Sequence, residues 1–255
     1  MSDLLRTYER GVLRVTLSRP DRRNALTRSM LRELRLVFEA HALQEDLRIA
    51  ILTGAGSIAF CAGFELVDLA ELESPEQAEA FAREGMAALD AVRTFPVPTV
   101  AALNGVALAE GAELALACDM RLVAHDAWIG FVHANSHRLP GFGGAADLTR
   151  LVGHGHAAEV LAAARPFAPA EAATLGLVNR VAAADADFLE EVERFTAPMC
   201  EHQPHVLRAL KTLALGQRFG IPAAEARERE IAEFVAAWTH PAHLALLEKL
   251  RADLA

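Results

Sequence analysis

Two short segments about 45 residues apart, AFCAGFEL (Ala59 to Leu66) and NGVALAEGAELALACDMR (Asn104 to Arg121), combine glycine with small apolar residues. Each is built to aim backbone N–H groups at one point, which is what a reaction developing negative charge on a carbonyl oxygen requires. The second segment adds Glu113, a carboxylate that can take or give a proton a few positions into the helix it opens. Together they describe acid–base chemistry beside an oxyanion hole.

The elements that must hold these segments follow a strand–loop–helix cadence. Leu4 to Glu9 and Val12 to Leu17 read as a hairpin around Arg10-Gly11, ended by Pro20. After the loop SRPDRRNAL, Thr27 caps a helix reaching about Gln44, with Met30, Leu31, Leu34, Val37, Phe38 and Leu43 as its apolar stripe. Strands are expected over Arg48 to Thr53, Pro98 to Leu103, Met120 to Ala124, Trp128 to Phe131 and Leu177 to Val181. Helices are expected over Pro75 to Thr94, with Phe81, Met86, Leu89 and Val92 inward, and over Gly111 to Ala117. From about Leu148 the chain turns helical, with patterns over Asp187 to Cys200, Pro204 to Gly216, Pro222 to Trp238 and His243 to Leu254. The reading is a mixed α/β core followed by a helical C-terminal part.

A chain of 255 residues with 53% apolar and 23% charged residues fits a globular α/β protein with a substantial core. A formal net charge of −9 argues against general nucleic-acid binding, although Arg19, Arg22 and Arg23 form a local cluster able to meet a phosphorylated small molecule. Cys61, Cys118 and Cys200 show neither metal-ligand spacing nor a disulfide framework, and read as reduced thiols of a cytoplasmic protein. Neither an export signal nor a run of 18 apolar residues is apparent, so no membrane partner is expected.

The sequence resembles the crotonase superfamily, the enoyl-CoA hydratase/isomerase family. The resemblance runs nearly end to end, through SRPDRRNAL, AFCAGFEL, NGVALAEGAEL, CDMRLV, LPGFGGAADLTRLVG (Leu139 to Gly153) and the LGLVNRV strand. It implies a crotonase-like α/β fold (the ClpP/crotonase fold) of repeated ββα units over residues 1–195, and a C-terminal helical region over 196–255 that assembles a homotrimer or a hexamer. It also implies a role in fatty acid metabolism, a CoA thioester as substrate and no separate cofactor or metal. The oxyanion-hole amides carried over are those of Phe64 and Glu110, and losing either donor costs about 3 to 4 kcal/mol of barrier. Ala25, Leu26, Ala62, Gly63, Phe64 and Leu66 are the implied CoA contacts, with Arg22 or Arg23 on the phosphates. The segment from Val67 to Gly85 lines the acyl pocket in relatives, which makes Leu66, Leu69, Leu72 and Phe81 its candidates here.

Two positions depart from the family pattern. Hydratases hold a water between two glutamates; the first matches Glu113, but the second falls at His133, a side chain able to bind water without a second carboxylate's charge. Asn135 and His137 lie close enough in sequence to serve instead. The second departure is Ala109-Glu110 where relatives most often have Gly-Gly. A carboxylate about 5 Å from the oxyanion repels it by about 3 kcal/mol at an effective dielectric of 20, whereas an outward one gains only about 0.3 to 1 kcal/mol from the helix N-terminus. An active enzyme must therefore turn Glu110 away, protonate it or use it.

The AGF at Phe64 is similar to the 4-chlorobenzoyl-CoA dehalogenase branch, but the position of that branch's nucleophilic Asp is Gly141 here. The leading expectation is an enoyl-CoA hydratase-like lyase with Glu113 handling the proton and His133 assisting water. A decarboxylase or isomerase of the same family, and a catalytically silent acyl-CoA binder, remain alternatives.

Overall fold

The computed structural model describes residues 2–70 and 72–254. Strands β1 (Leu4–Glu9) and β2 (Val12–Leu17) form the expected hairpin, with Arg10 and Gly11 at φ of 52° and 78°. Positive φ at both positions makes the tight turn whose twist matches its strands. Helix α1 (Arg28–His41) starts where the Thr27 side chain accepts the Met30 N–H, and leads to β3 (Ile49–Gly54). Next come β4 (Ala59–Cys61), α2 (Leu66–Ala70), α3 (Pro75–Arg93), β5 (Thr99–Leu103), β6 (Val106–Leu108) and α4 (Glu110–Ala117). Strands β7 (Met120–Val123) and β8 (Ile129–Gly130) precede α5 (Gly144–Ala163), α6 (Pro169–Thr174) and β9 (Arg180–Val181). Four helices close the chain: α7 (Phe188–Cys200), α8 (Pro204–Arg218), α9 (Ala223–Trp238) and α10 (Pro241–Asp253).

One sheet has six strands in the order β1-β2-β3-β5-β7-β9, parallel apart from the β1–β2 hairpin. Its central strand β5 is buried throughout, as the near-continuous apolar run TVAAL requires of a parallel strand covered on both faces. A second sheet, β4-β6-β8, is parallel and only two to three residues deep. Helix α4 packs tightly on it: a Cβ on Gly111 would stand 2.1 Å from the Cys61 carbonyl oxygen, so only glycine permits this approach.

Several expected boundaries shift. Leu43 lies beyond the end of α1 and is exposed, so it leaves the stripe that Met30 to Phe38 bury. Met86 is also exposed, because the inward face of α3 runs through Phe81, Gly85, Ala88, Leu89 and Val92. The strand expected over Leu177 to Val181 contracts to β9, and Trp128 to Phe131 contracts to β8. The boundary expected at residues 195 and 196 falls inside α7, and α8 still reaches the core through Leu207 and through Lys211 on Asp119. Of these four C-terminal helices, α9 and α10 contain no buried residue among the described residues.

Among the described residues no helix is long and apolar enough to cross a membrane. The three cysteines are free thiols, and burial pushes Cys61 and Cys118 up to about 12, away from thiolate chemistry.

Candidate active site

The three strands of the small sheet run parallel, so their C-terminal ends open on the same side, where ligands of parallel α/β sheets are bound. Strand β4 exits into Ala62-Gly63-Phe64, β6 into Ala109-Glu110, and β8 into Phe131-Val132-His133. One short sheet thus brings Phe64, Glu110, Glu113 and His133 to one edge.

The first turn is stitched to the SRPDRRNAL loop. Leu26 N–H donates to Gly63 O at 2.8 Å, Glu65 N–H to Leu26 O at 2.9 Å, and Ala62 N–H to Arg23 O at 3.0 Å. Asn24, fully buried, secures that loop by donating to Ala59 O at 2.7 Å and accepting the Arg19 N–H at 2.9 Å. The Phe64 ring is wedged edge-on against Phe81 at 4.8 Å between centroids, and Phe81 packs on Phe142 at 5.2 Å. These contacts fix the direction of the Phe64 N–H.

The second turn is strained. Ala109 adopts φ 49°, ψ −120°, a conformation glycine favours and one that costs a β-carbon-bearing residue about 1–3 kcal/mol. It places Glu110 first in α4, where its N–H has no carbonyl four residues back within the helix. The Glu110 side chain turns into the hole: Oε2 accepts the Phe64 N–H at 3.1 Å, and Oε1 accepts Arg138 Nη1 at 2.6 Å. A carboxylate oxygen therefore sits at hydrogen-bond distance from the first oxyanion donor, where a thioester oxygen is expected. Of the three outcomes expected for Glu110, turning away is not the resting arrangement.

Glu113 is fully buried and is held as a cap on α5. Its Oε2 accepts the N–H groups of Phe142 at 2.9 Å and Gly144 at 2.8 Å, and Oε1 accepts that of Gly141 at 3.3 Å. Gly144 must be glycine, since its Cβ would lie 2.4 Å from Glu113 Cγ. The donating loop is itself anchored by Arg93, which donates to Phe142 O and forms a buried ion pair with Asp147 at 2.7 Å. Oε1, held only by the longer Gly141 contact, is consequently the oxygen of Glu113 with acceptor capacity left for chemistry.

That oxygen faces His133. His133 Nε2 lies 3.3 Å from Glu113 Oε1 and 4.0 Å from Glu110 Oε1, yet the directions do not make a hydrogen bond, and neither ring nitrogen has a hydrogen-bond partner among the described residues. Two unpartnered nitrogens on a side chain 2% exposed are the condition under which a buried water or a substrate group is held. Asn135 and His137 are exposed, and the Asn135 amide donates to Ala164 O at 2.7 Å.

Beside this cluster opens a cavity of about 610 Å³. Ala25, Ala62, Gly63, Phe64 and Leu66 line it, together with Arg22, Arg23, Glu110, Asn135 and Arg138. Leu26 does not line it; its side chain is fully buried, and it contributes only the backbone bonds to Gly63 and Glu65. Arg19 drops out of the cationic cluster because it is tied to Glu65 at 2.8 Å and to Ala25 O at 2.7 Å. Phe81 belongs to the aromatic wedge, and Leu69 and Leu72 pack on the core; of the acyl-pocket candidates only Leu66 faces the cavity. Glu113 and His133 are not among its lining residues; His133 Nε2 lies 4.0 Å from Oε1 of Glu110, which is one.

Sequence reasoning missed Arg138 and Phe142. The signal for Phe142 was Gly85 inside a helix, where a Cβ would meet the Phe142 ring at 2.1 Å; no comparable signal marks Arg138.

The sequence profile described as enoyl-CoA hydratase/isomerase matches residues 7–249. The chain is 32% identical over 256 residues to the 2,3-dehydroadipyl-CoA hydratase of Escherichia coli K12, covering 99% of this chain and 98% of that one. It is 31% identical over 247 residues to the ethylmalonyl-CoA decarboxylase of Xenopus tropicalis, covering 96% and 82%. Among solved structures, an enoyl-CoA hydratase from Bacillus anthracis superimposes with a TM-score of 0.91 at 28% identity, covering 99% and 97%. The extent of these matches, together with three parallel strand ends converging on the acidic cluster, establishes that this chain belongs to the enoyl-CoA hydratase/isomerase family, the crotonase superfamily.

Proposed function

We propose that this protein is an enoyl-CoA hydratase-like lyase acting through a thioester enolate. The observation that carries the reading is the unpartnered His133 imidazole beside Glu113 Oε1, at the same sheet edge as the Phe64 and Glu110 amides. Both named relatives act on CoA thioesters, one as a hydratase and one as a decarboxylase. Buried imidazole nitrogens free to hold a water favour hydration over decarboxylation.

In this mechanism the thioester oxygen displaces the Glu110 carboxylate from the Phe64 N–H. The two amides then polarise the carbonyl. A water bound to His133 Nε2 attacks the β-carbon as Glu113 Oε1 takes its proton, and the alkene electrons move onto the thioester oxygen as an enolate. Return of the Glu113 proton to the α-carbon restores the carbonyl and completes addition of water. In this reading Arg22 and Arg23, which line the cavity, pair with the CoA phosphates.

Hydration is tested by following loss of the enoyl thioester absorbance with crotonyl-CoA and longer enoyl-CoA esters. Turnover of at least one ester is expected. Binding of these esters without turnover of any would favour the decarboxylase reading.

The C-terminal helices are proposed as the assembly region of a homotrimer or hexamer. Ile231, Phe234, Trp238, Leu246 and Leu250 are each about half exposed on α9 and α10, an apolar surface that a lone protomer leaves in water. Sedimentation equilibrium should give three or six times the 27.5 kDa chain mass; a monomer at micromolar concentration would refute the assembly. Free, buried thiols support a reducing, cytoplasmic location.

A further inference from the structure

We propose that Arg138 receives a second carboxylate carried on the acyl group, so that the preferred substrates are CoA thioesters of carboxylated acyl chains. The proposal rests on the acyl-CoA reading above and names the substrate class of that site.

Glu110 holds two contacts at once. Its Oε2 takes the Phe64 N–H, and its Oε1 takes the Arg138 guanidinium. A thioester oxygen entering the hole takes over the first contact, and the enolate charge that develops on it repels the adjacent Glu110 carboxylate, which loosens the second. The guanidinium, one-third exposed and lining the cavity, then keeps a neutral bond from its Nε to Ser136 Oγ at 3.1 Å.

Two of the other carboxylates nearby are engaged elsewhere. Glu65 is paired with Arg19 at 2.8 Å, and Glu113 is committed to three backbone N–H groups with none of its surface exposed. Asp21 lines the cavity from the loop that carries Arg22 and Arg23. An ester with a neutral acyl group therefore replaces one of the two contacts that Glu110 gives up. An ester carrying its own carboxylate replaces both, and the guanidinium fork is matched in shape and charge to that group. Glu110 is in this sense the internal stand-in for the ligand, and it discriminates against esters lacking the second charge.

The test is calorimetric titration of the full chain with succinyl-, glutaryl- and adipoyl-CoA, each compared with butyryl-, pentanoyl- or hexanoyl-CoA of the same length. At least one carboxylated ester should bind about tenfold or more tighter than its neutral counterpart. Arg138→Gln should abolish that ratio, and Arg138→Lys, which keeps the charge without the fork, should retain part of it. The ratio is the readout because a purely structural loss at Arg138 weakens both series alike. Equal affinity at every length, or a preference that survives Arg138→Gln, overturns the proposal while leaving the acyl-CoA reading intact. Failure of both series to bind overturns that reading and the proposal with it.

Discussion

Replacing Glu113 by glutamine should lower turnover of the best CoA ester by about 10²- to 10⁴-fold while leaving the melting temperature close to that of the unaltered protein. Glutamine keeps a carbonyl oxygen for the Phe142 and Gly144 N–H groups, which Glu113 Oε2 accepts at 2.9 and 2.8 Å. Its amide then faces His133 and can no longer take a proton from water. Alanine is a poorer probe, because it strands buried main-chain donors at about 1–3 kcal/mol each and mixes a folding loss with the chemical one. The measurement is initial rate at saturating ester alongside a thermal melt. Activity within a few-fold of the unaltered protein would remove Glu113 from proton transfer and leave it as a helix cap.

Replacing Glu110 by alanine should act in the opposite direction, raising kcat/KM by about 10- to 100-fold. The resting carboxylate must surrender a hydrogen bond and an ion pair before a thioester oxygen can reach Phe64 N–H, and a bond to a charged group is worth about 1.5–3 kcal/mol. Removing the side chain removes that competition, whereas the Glu110 main-chain donor persists. Steady-state kinetics with a neutral enoyl-CoA ester gives the answer, since such an ester has no charge of its own to offer Arg138. A large loss of activity would instead make Glu110 a participant in proton transfer, which its 4.0 Å separation from His133 Nε2 permits.

The contrast between these two glutamates marks how far the sequence could be read. Thr27 as a cap, the Arg10-Gly11 turn and the apolar runs of β3 and β5 are local signals, and each element formed close to where those signals placed it. The family motifs also assigned Phe64, Glu110, Glu113 and His133 to one neighbourhood. The small sheet was only partly legible, because AFC and VAL are too short and too uniformly apolar to show an alternating pattern. Leu43 and Met86 were misplaced for a geometric reason: one residue's error in a helix end or phase rotates a side chain by about 100°.

The direction of Glu110 was beyond local reading. It is decided by Arg138, 28 residues further on, and by the positive φ of Ala109, which alanine itself does not signal and to which only the Gly-Gly of relatives points. The capping role of Glu113 likewise depends on N–H groups near Gly144, which only the tertiary fold brings to it. What the sequence presented as an acid–base residue is also a structural cap on α5, leaving Oε1 alone to face His133.

The most direct test of the site is the infrared difference spectrum of a bound CoA ester carrying ¹³C at the thioester carbonyl. Two main-chain donors converging on that oxygen should shift its stretch to lower frequency on binding, and the shift should grow in Glu110→Ala, where no carboxylate competes for the Phe64 N–H. A carbonyl stretch unchanged from that of the free ester, in both the unaltered protein and the variant, would contradict the oxyanion hole.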